Sequence, residues 1–433
     1  MKGALFTYAL TFGGSAASLF NPFVGVCVYV TFAIIKPDSM WGFALPQARY
    51  SRIIALALLA GWLIKGFGSW NFGKAGGIVF AFIAFWVWSV FSAAQSAVPS
   101  LAWGYVEESG KILLPFLVGI TVMESISQLR ILAWVIAASQ GFLAYEANMH
   151  YLNGFNAARE GIGGAGDNNF LALGMTATFG LSFFLALYSE RLWQKAAAMI
   201  IALMAGHVVL LSFSRGGMLG LVVTGLMCFI LIPKKGWYYV VLLAVVLLML
   251  RLAGPEVRQR FSTSFADEGQ RDASAQSRVD LWRDCIATAV QNPVFGVGPN
   301  HWRLIARSHG WTEGKSAHTL WLEVLAELGF PGFLFLCLFY GKCLIRLNQL
   351  RKSPNDSDPW QYHLACMVIA ALVGFAVSGQ FVSAVGLEMP YYIVLLGAGV
   401  LKLSSLPVEE PVAEFADAPM QWPAHLGELQ PKV

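Results

Sequence analysis

Apolar runs of membrane-crossing length follow one another along almost the whole chain, and few charges interrupt them. A helix needs about 20 apolar residues to cross the hydrocarbon of a bilayer, with shorter or longer ones accommodated by tilt. The candidate runs are 3–20, 22–35, 53–68, 77–95, 112–123, 131–147, 169–188, 196–213, 216–232 and 237–253. After a polar gap come 319–345, 362–380 and 389–403. The first two are short enough to form a hairpin that does not fully cross. The pattern therefore predicts an all-α polytopic membrane protein with about twelve transmembrane helices, thirteen being possible. Composition agrees: 57% of residues are hydrophobic and 12% charged, where a soluble domain carries about 25% charge. A net charge of +4 over 433 residues is too small to argue for nucleic acid.

Basic residues in short loops set the expected orientation. Lys342, Arg346, Arg351 and Lys352 in one loop, Arg191 and Lys195 in another, and Lys234 and Lys235 in a third fall on one side. That side reads as cytoplasmic, although Lys36, Arg49 and Arg52 fit it poorly. The expected division is 1–253 as N-terminal transmembrane helices, 254–318 as a periplasmic loop, 319–403 as C-terminal transmembrane helices and 404–433 as a disordered cytoplasmic tail. The loop carries eight Lys and Arg against seven acids, so it is no general anion patch. Within it Val279, Trp282, Ile286, Ala289 and Val290 have helical spacing, which predicts amphipathic helices lying along the membrane surface. The N-terminus reads as a retained first span rather than a removed signal peptide. The six cysteines form no C-x-x-C, and neither disulfides nor a sulfur-held metal is expected.

Three residues stand out chemically. Arg215, in Ser212-Phe213-Ser214-Arg215-Gly216-Gly217, lies between two apolar runs. It reads equally as an anion ligand at a helix start or as a side chain snorkelling to the interface. Arg278, in Ser277-Arg278-Val279-Asp280-Leu281-Trp282, taken alone reads as a solvated charge. His318, in Ala317-His318-Thr319-Leu320-Trp321-Leu322-Glu323, stands where the outer loop re-enters the membrane. Imidazole can take a proton near neutral pH, yet a lone interfacial His is more often an anchor than a catalyst. The run Gly161 to Asn169 (GIGGAGDNN) is a Gly-rich turn that suits a substrate loop or a tight reversal. Asp356-Ser357-Asp358 resembles a metal-binding D-x-D but is flanked by Pro354 and Pro359, and reads as a turn.

The order of these motifs carries more than any one of them. SRGG at a span boundary, a long outer loop with SRVDLW, then NPVFGVGPN, then AHTLWLEVLAELGFPG entering the next span resembles the bacterial O-antigen ligase and polymerase superfamily. PFVGVCVYV, KPDSMWGFA and GDNNFLAL look like its branch of exosortase-associated O-glycosylation ligases. The resemblance implies a GT-C-like, metal-independent, inverting glycosyltransferase without a cofactor, set in the bacterial inner membrane and facing the periplasm. Its donor would be a glycan on undecaprenyl diphosphate and its acceptor a sugar hydroxyl of lipid A–core. Arg215 and Arg278 would bind the diphosphate, and His318 would activate or orient the acceptor. Asp167, Asn168, His301 and Glu327 are the further expected substrate contacts. The family often has Asn after this His, and here the position is Thr319.

Two enzyme alternatives share the donor: a polymerase that extends another lipid-linked glycan, and a protein O-glycosylation ligase. A lipid-linked glycan transporter is the non-enzyme alternative. It should carry ionisable groups in mid-span, but Glu146, His207 and Glu388 sit toward span ends.

Overall fold

Helices begin where a side chain can accept from the first free amides of a turn. Asn21 caps one helix, followed by Pro22 in its first turn, a position where the missing proline N–H costs nothing. Ser125 and Gln128 form a reciprocal capping box. Asp167, Ser214 and Thr319 cap three more.

The structure, a computed structural model, describes residues 2–46, 48–163, 166–236, 239–240, 247, 273–353 and 359–405. The helices are α1 (Lys2–Tyr8), α2 (Gly14–Phe20), α3 (Pro22–Ile35), α4 (Pro37–Met40), α5 (Tyr50–Ile64), α6 (Gly76–Ala94), α7 (Pro99–Val122) and α8 (Ile126–Leu152). They continue with α9 (Asn168–Tyr188), α10 (Leu192–Leu211), α11 (Arg215–Leu231), α12 (Ala273–Gln291), α13 (Trp302–Ile305), α14 (Leu320–Lys352), α15 (Pro359–Gly379) and α16 (Met389–Leu403). No strand occurs among the described residues. Among the described residues, seven helical stretches are long and apolar enough to cross a membrane, and three shorter apolar helices (α5, α11 and α16) accompany them. The described residues are all-helical, as in a multi-pass membrane protein.

The expected spans shift in instructive ways. Run 3–20 is α1 and α2 joined by a π-helical turn, Ala9–Gly13. Run 112–123 is only the inner half of α7, whose outer half holds Glu107, Glu108 and Lys111 and so lacks a hydropathy signal. Run 319–345 is α14, kinked at Gly329, where φ is 67°. Most of run 237–253 lies outside the described residues, as do 254–272, 406–433 and Asp356-Ser357-Asp358.

α9 is the hub, packed against α8, α10, α11 and α15. Most of its residues are buried, including Leu173, Ala177, Leu181 and Phe184. One end of the bundle gathers the starts of α9, α11 and α14. At the other, Arg130 at the start of α8 reaches Glu190 at 3.0 Å and lies over the Trp360 ring. The Tyr362 hydroxyl there donates to the Leu231 carbonyl. Arg191 and Lys195 follow the end of α9, and Lys234 and Lys235 follow the end of α11, so both pairs lie at this second end. Arg351 and Lys352 join them in the last turn of α14, and Arg346 shares a small pocket with Lys74. Arg52, on the poorly fitting first loop, pairs with Glu107 at 3.6 Å.

α12 is the helix expected in the 254–318 segment, but it buries a different face. Leu281, Cys285 and Ala289 are buried, and Leu281 and Cys285 join Trp302, Ala306, Ala317 and Ala326 in a small core of their own. Ile286 and Val290, expected on the apolar face, are exposed. The helix packs on the 300–326 segment, so the protein, and not only a membrane surface, selects its buried stripe.

Candidate functional site

The three motif regions meet at the end of the bundle where α9, α11 and α14 begin. Asp167 Oδ1 accepts from the Asn169 and Phe170 amides at 2.8 and 2.9 Å, which starts α9. Beside it, the Asn168 side chain donates to the Ser212 carbonyl (2.8 Å), and the Ser214 hydroxyl donates to Asn169 Oδ1 (2.8 Å). Ser214 also accepts from the Gly217 amide and so caps α11. The Asn168–Ser212 and Ser214–Asn169 bonds clamp the GDNN run against the SRGG turn immediately before Arg215. Phe213 completes the turn with φ 54°, a left-handed conformation uncommon for a residue with a side chain.

The 380–388 segment ties the other two motifs to this clamp. Gly216 lies so close to Phe381 that a Cβ would meet its side chain at 2.5 Å. Only glycine lets the two approach in this way. The Phe381 ring in turn packs on Trp282, 5.9 Å between centroids, one turn along α12 from Arg278. Two residues further, Ser383 accepts from the Ser316 hydroxyl (2.8 Å). Ser316 in turn accepts from the His318 amide (3.4 Å). Arg215, Arg278 and His318 thus reach one short segment through Gly216, Trp282 and Ser316.

His318 is half-buried and held at φ 52° directly before the Thr319 cap of α14. Burial pushes its imidazole down to about 4, and the Arg278, Lys315 and Arg303 cations add to this against Asp167. The ring is therefore neutral at physiological pH. The same electrostatic neighbours show that Arg278 and Asp167 face His318 closely enough to act on its charge. Arg215 and Arg278 are both half-buried.

His301 and Glu327 are near this site but are occupied by the scaffold. The Val98 amide donates to His301 Nε2 (3.0 Å), leaving Nδ1 to donate to the Pro299 carbonyl (2.9 Å). Glu327 is buried, and its Oε2 and Oε1 accept from the Asn300 and Trp302 amides, both at 2.8 Å. The NPVFGVGPN run wraps the kink in α14: the Val297 and Gly298 amides donate to the Ala326 and Glu327 carbonyls, and the Phe330 amide to Pro293. At Gly296, φ 67°, a Cβ would collide with the Glu327 backbone. The acid and the imidazole of this region thus fix a loop.

Several residues at the site are not among the contacts that the sequence suggests. Asn169 makes the contact with Ser214 that Asp167 and Asn168 do not. Arg159 stacks over the Phe213 ring at 5.0 Å, which brings a further guanidinium to the SRGG turn. Glu323 is buried on the first turns of α14, with Oε2 lacking a hydrogen-bond partner among the described residues. Among the described residues, no group of three or more His, Cys, Asp or Glu could hold a metal ion.

No curated protein matches the chain. A family model described as O-antigen ligase matches residues 199–337. The matched stretch contains Arg215, Arg278 and His318 and begins and ends within transmembrane helices. The match agrees with the resemblance seen in the order of the motifs: residues 199–337, about a third of the chain, are similar to the O-antigen ligase family.

Proposed function

We propose that the chain is an inverting glycosyltransferase that moves a glycan from undecaprenyl diphosphate to a sugar hydroxyl of lipid A–core. What supports this reading is that the segments carrying Arg215, Arg278 and His318 all reach the 380–388 segment at one end of the bundle. In the reaction the acceptor oxygen attacks the anomeric carbon from the face opposite the diphosphate. The carbon–oxygen bond to the phosphate breaks, and its electron pair leaves with undecaprenyl diphosphate. The acceptor proton passes to His318 and from there to water. The products are a new glycosidic bond, inverted at the anomeric carbon, and the free lipid diphosphate.

Charge develops on the leaving diphosphate, and Arg215 and Arg278 are suited to stabilise it through paired, charge-assisted bonds. A histidine with a pKa of about 4 is a weak base; burial is the main cause, and Arg278, which adds to it, is a group the donor would neutralise. A bound diphosphate therefore raises the imidazole toward the range in which a general base works best. The bond energy is already stored in the donor, so the mechanism needs no nucleotide.

The periplasmic side is supported by charge. The basic loops lie at the far end of the bundle, and such loops stay in the cytoplasm. The direct test is transfer by purified protein from a labelled undecaprenyl-diphosphate glycan to lipid A–core, compared between the wild type and His318→Ala.

A further inference from the structure

Beside this site a cavity of about 160 Å³ lies between the end of α3, the middle of α8, the start of α9 and the 386–389 segment. Two of its walls belong to segments that also form the site. Phe170 follows directly on the Asp167–Asn169 run, and Glu388 ends the segment whose Phe381 and Ser383 touch the arginine and histidine motifs.

The lining has an unusual chemistry for a helical bundle. Gln140 is 5% exposed on α8, lines the cavity and makes no hydrogen bond to the described residues. Its carboxamide is not among the sealed, unsatisfied side-chain atoms of the described residues, so it opens on the cavity and can bond to what enters there. Lys36 and Glu388 also line the cavity, and they attract one another while the Tyr392 hydroxyl donates to Glu388 Oε2. Phe170 adds an aromatic wall, with Leu143 and the other aliphatic side chains around it.

An acyl chain would leave Gln140 unsatisfied. A simple ion would meet charges of both signs. A pyranose ring matches the set: its hydroxyls both donate and accept, as a carboxamide, a carboxylate and an ammonium require, and its C–H face packs on an aromatic ring. We propose that this cavity is a saccharide subsite, which takes one sugar ring of a glycan substrate next to the point of transfer. The inference rests on the glycosyltransferase reading and adds specificity-determining residues to it: Gln140, Lys36 and Glu388.

Gly174 offers a variant that preserves the fold. A Cβ there would stand 3.5 Å from Gln140 Nε2 and 3.8 Å from the Met389 methyl. Both are ordinary contacts, and alanine is favoured over glycine inside a helix. Gly174→Ala therefore narrows the cavity without strain, and Gln140→Leu removes the amide at similar size. The experiment measures KM and kcat for the lipid-diphosphate glycan and for lipid A–core separately. Alongside it, saturation-transfer NMR follows the free oligosaccharide released from the donor by mild acid.

In Gln140→Leu, KM for one of the two glycan substrates should rise about three- to tenfold, the loss of one hydrogen bond; in Gly174→Ala, which crowds the ring, KM for the same substrate should rise too, with kcat within about twofold in both. Saturation of the free oligosaccharide should fall in parallel, and the substrate whose KM moves identifies the source of the ring. Unchanged KM for both substrates with unchanged saturation, in folded Gly174→Ala, overturns the subsite and leaves the transferase reading intact; the cavity would then hold water only. Saturation that the variants abolish, in a wild type that transfers nothing, keeps the subsite and removes the transferase reading.

Discussion

The Ser214 hydroxyl donates to Asn169 Oδ1 across 2.8 Å, and through this bond the starts of α9 and α11 are fixed side by side. Ser214 is buried and caps α11 with the same oxygen. The position of Arg215 therefore depends on a residue 45 positions before its cap. Asn169→Leu should destabilise the protein by about 1–3 kcal/mol and lower transfer more than its fraction unfolded explains. Thermal melting in detergent and a transfer assay on the same sample check this. A variant that is stable and fully active would show that the clamp does not position Arg215.

Glu327 should behave as part of the scaffold. Glu327→Ala leaves two buried amides without an acceptor, at about 1–3 kcal/mol each, so melting temperature and folded yield should fall steeply. Glu327→Gln keeps one accepting oxygen and should recover part of that loss. KM of the protein that remains folded should match the wild type. A raised KM in a normally stable variant would return Glu327 to the substrate.

The acid limb of kcat/KM reports His318 in the free enzyme. Activity requires the neutral ring, so it is lost as pH falls through its pKa. With that pKa about 4, kcat/KM should stay flat between about pH 6 and 8 and decline only well below that range. Arg278 is among the cations that lower this value. In Arg278→Gln the residual activity should therefore lose its flat region first at the acid side, with the limb displaced to higher pH. A limb that moves down, or does not move, would remove the electrostatic link between the two residues.

Arg215→Lys and Arg278→Lys should each lower transfer by about a hundredfold or more, as the loss of one preorganised charge-stabilising group does. A point charge does not reproduce the paired bonds of a guanidinium. EDTA should leave transfer unchanged. Inhibition by EDTA that magnesium reverses would assign the leaving-group charge to a metal instead.

The parts of this site that can be read in the sequence are local ones. Thr319 caps the helix that His318 precedes, Ser214 caps the helix that Arg215 opens, and the DNN run caps α9; each depends on near neighbours in the chain. The all-helical membrane class is equally legible, because hydropathy is a sum over a window. His301 and Glu327 cannot be sorted in the same way. Their partners are backbone groups at Val98, Pro299, Asn300 and Trp302, and nothing in a sequence marks an amide as needing an acceptor. Gln140 is hidden for a related reason: one polar residue inside α8 carries no motif, and only the cavity shows what it faces. The face of α12 is ambiguous in sequence because Ile286 and Val290 obey helical spacing as well as Leu281 and Cys285 do. Which stripe is buried depends on Trp302 and Ala306, outside that helix.

The most direct measurement is transfer by the purified protein offered undecaprenyl-diphosphate glycan together with lipid A–core. Glycan should appear on lipid A–core with the wild type and vanish with a folded His318→Ala variant. A donor glycan that lengthens instead would make the protein a polymerase. Transfer that persists undiminished in His318→Ala would contradict the role given to the histidine, and no transfer to either acceptor would contradict the proposed reaction itself.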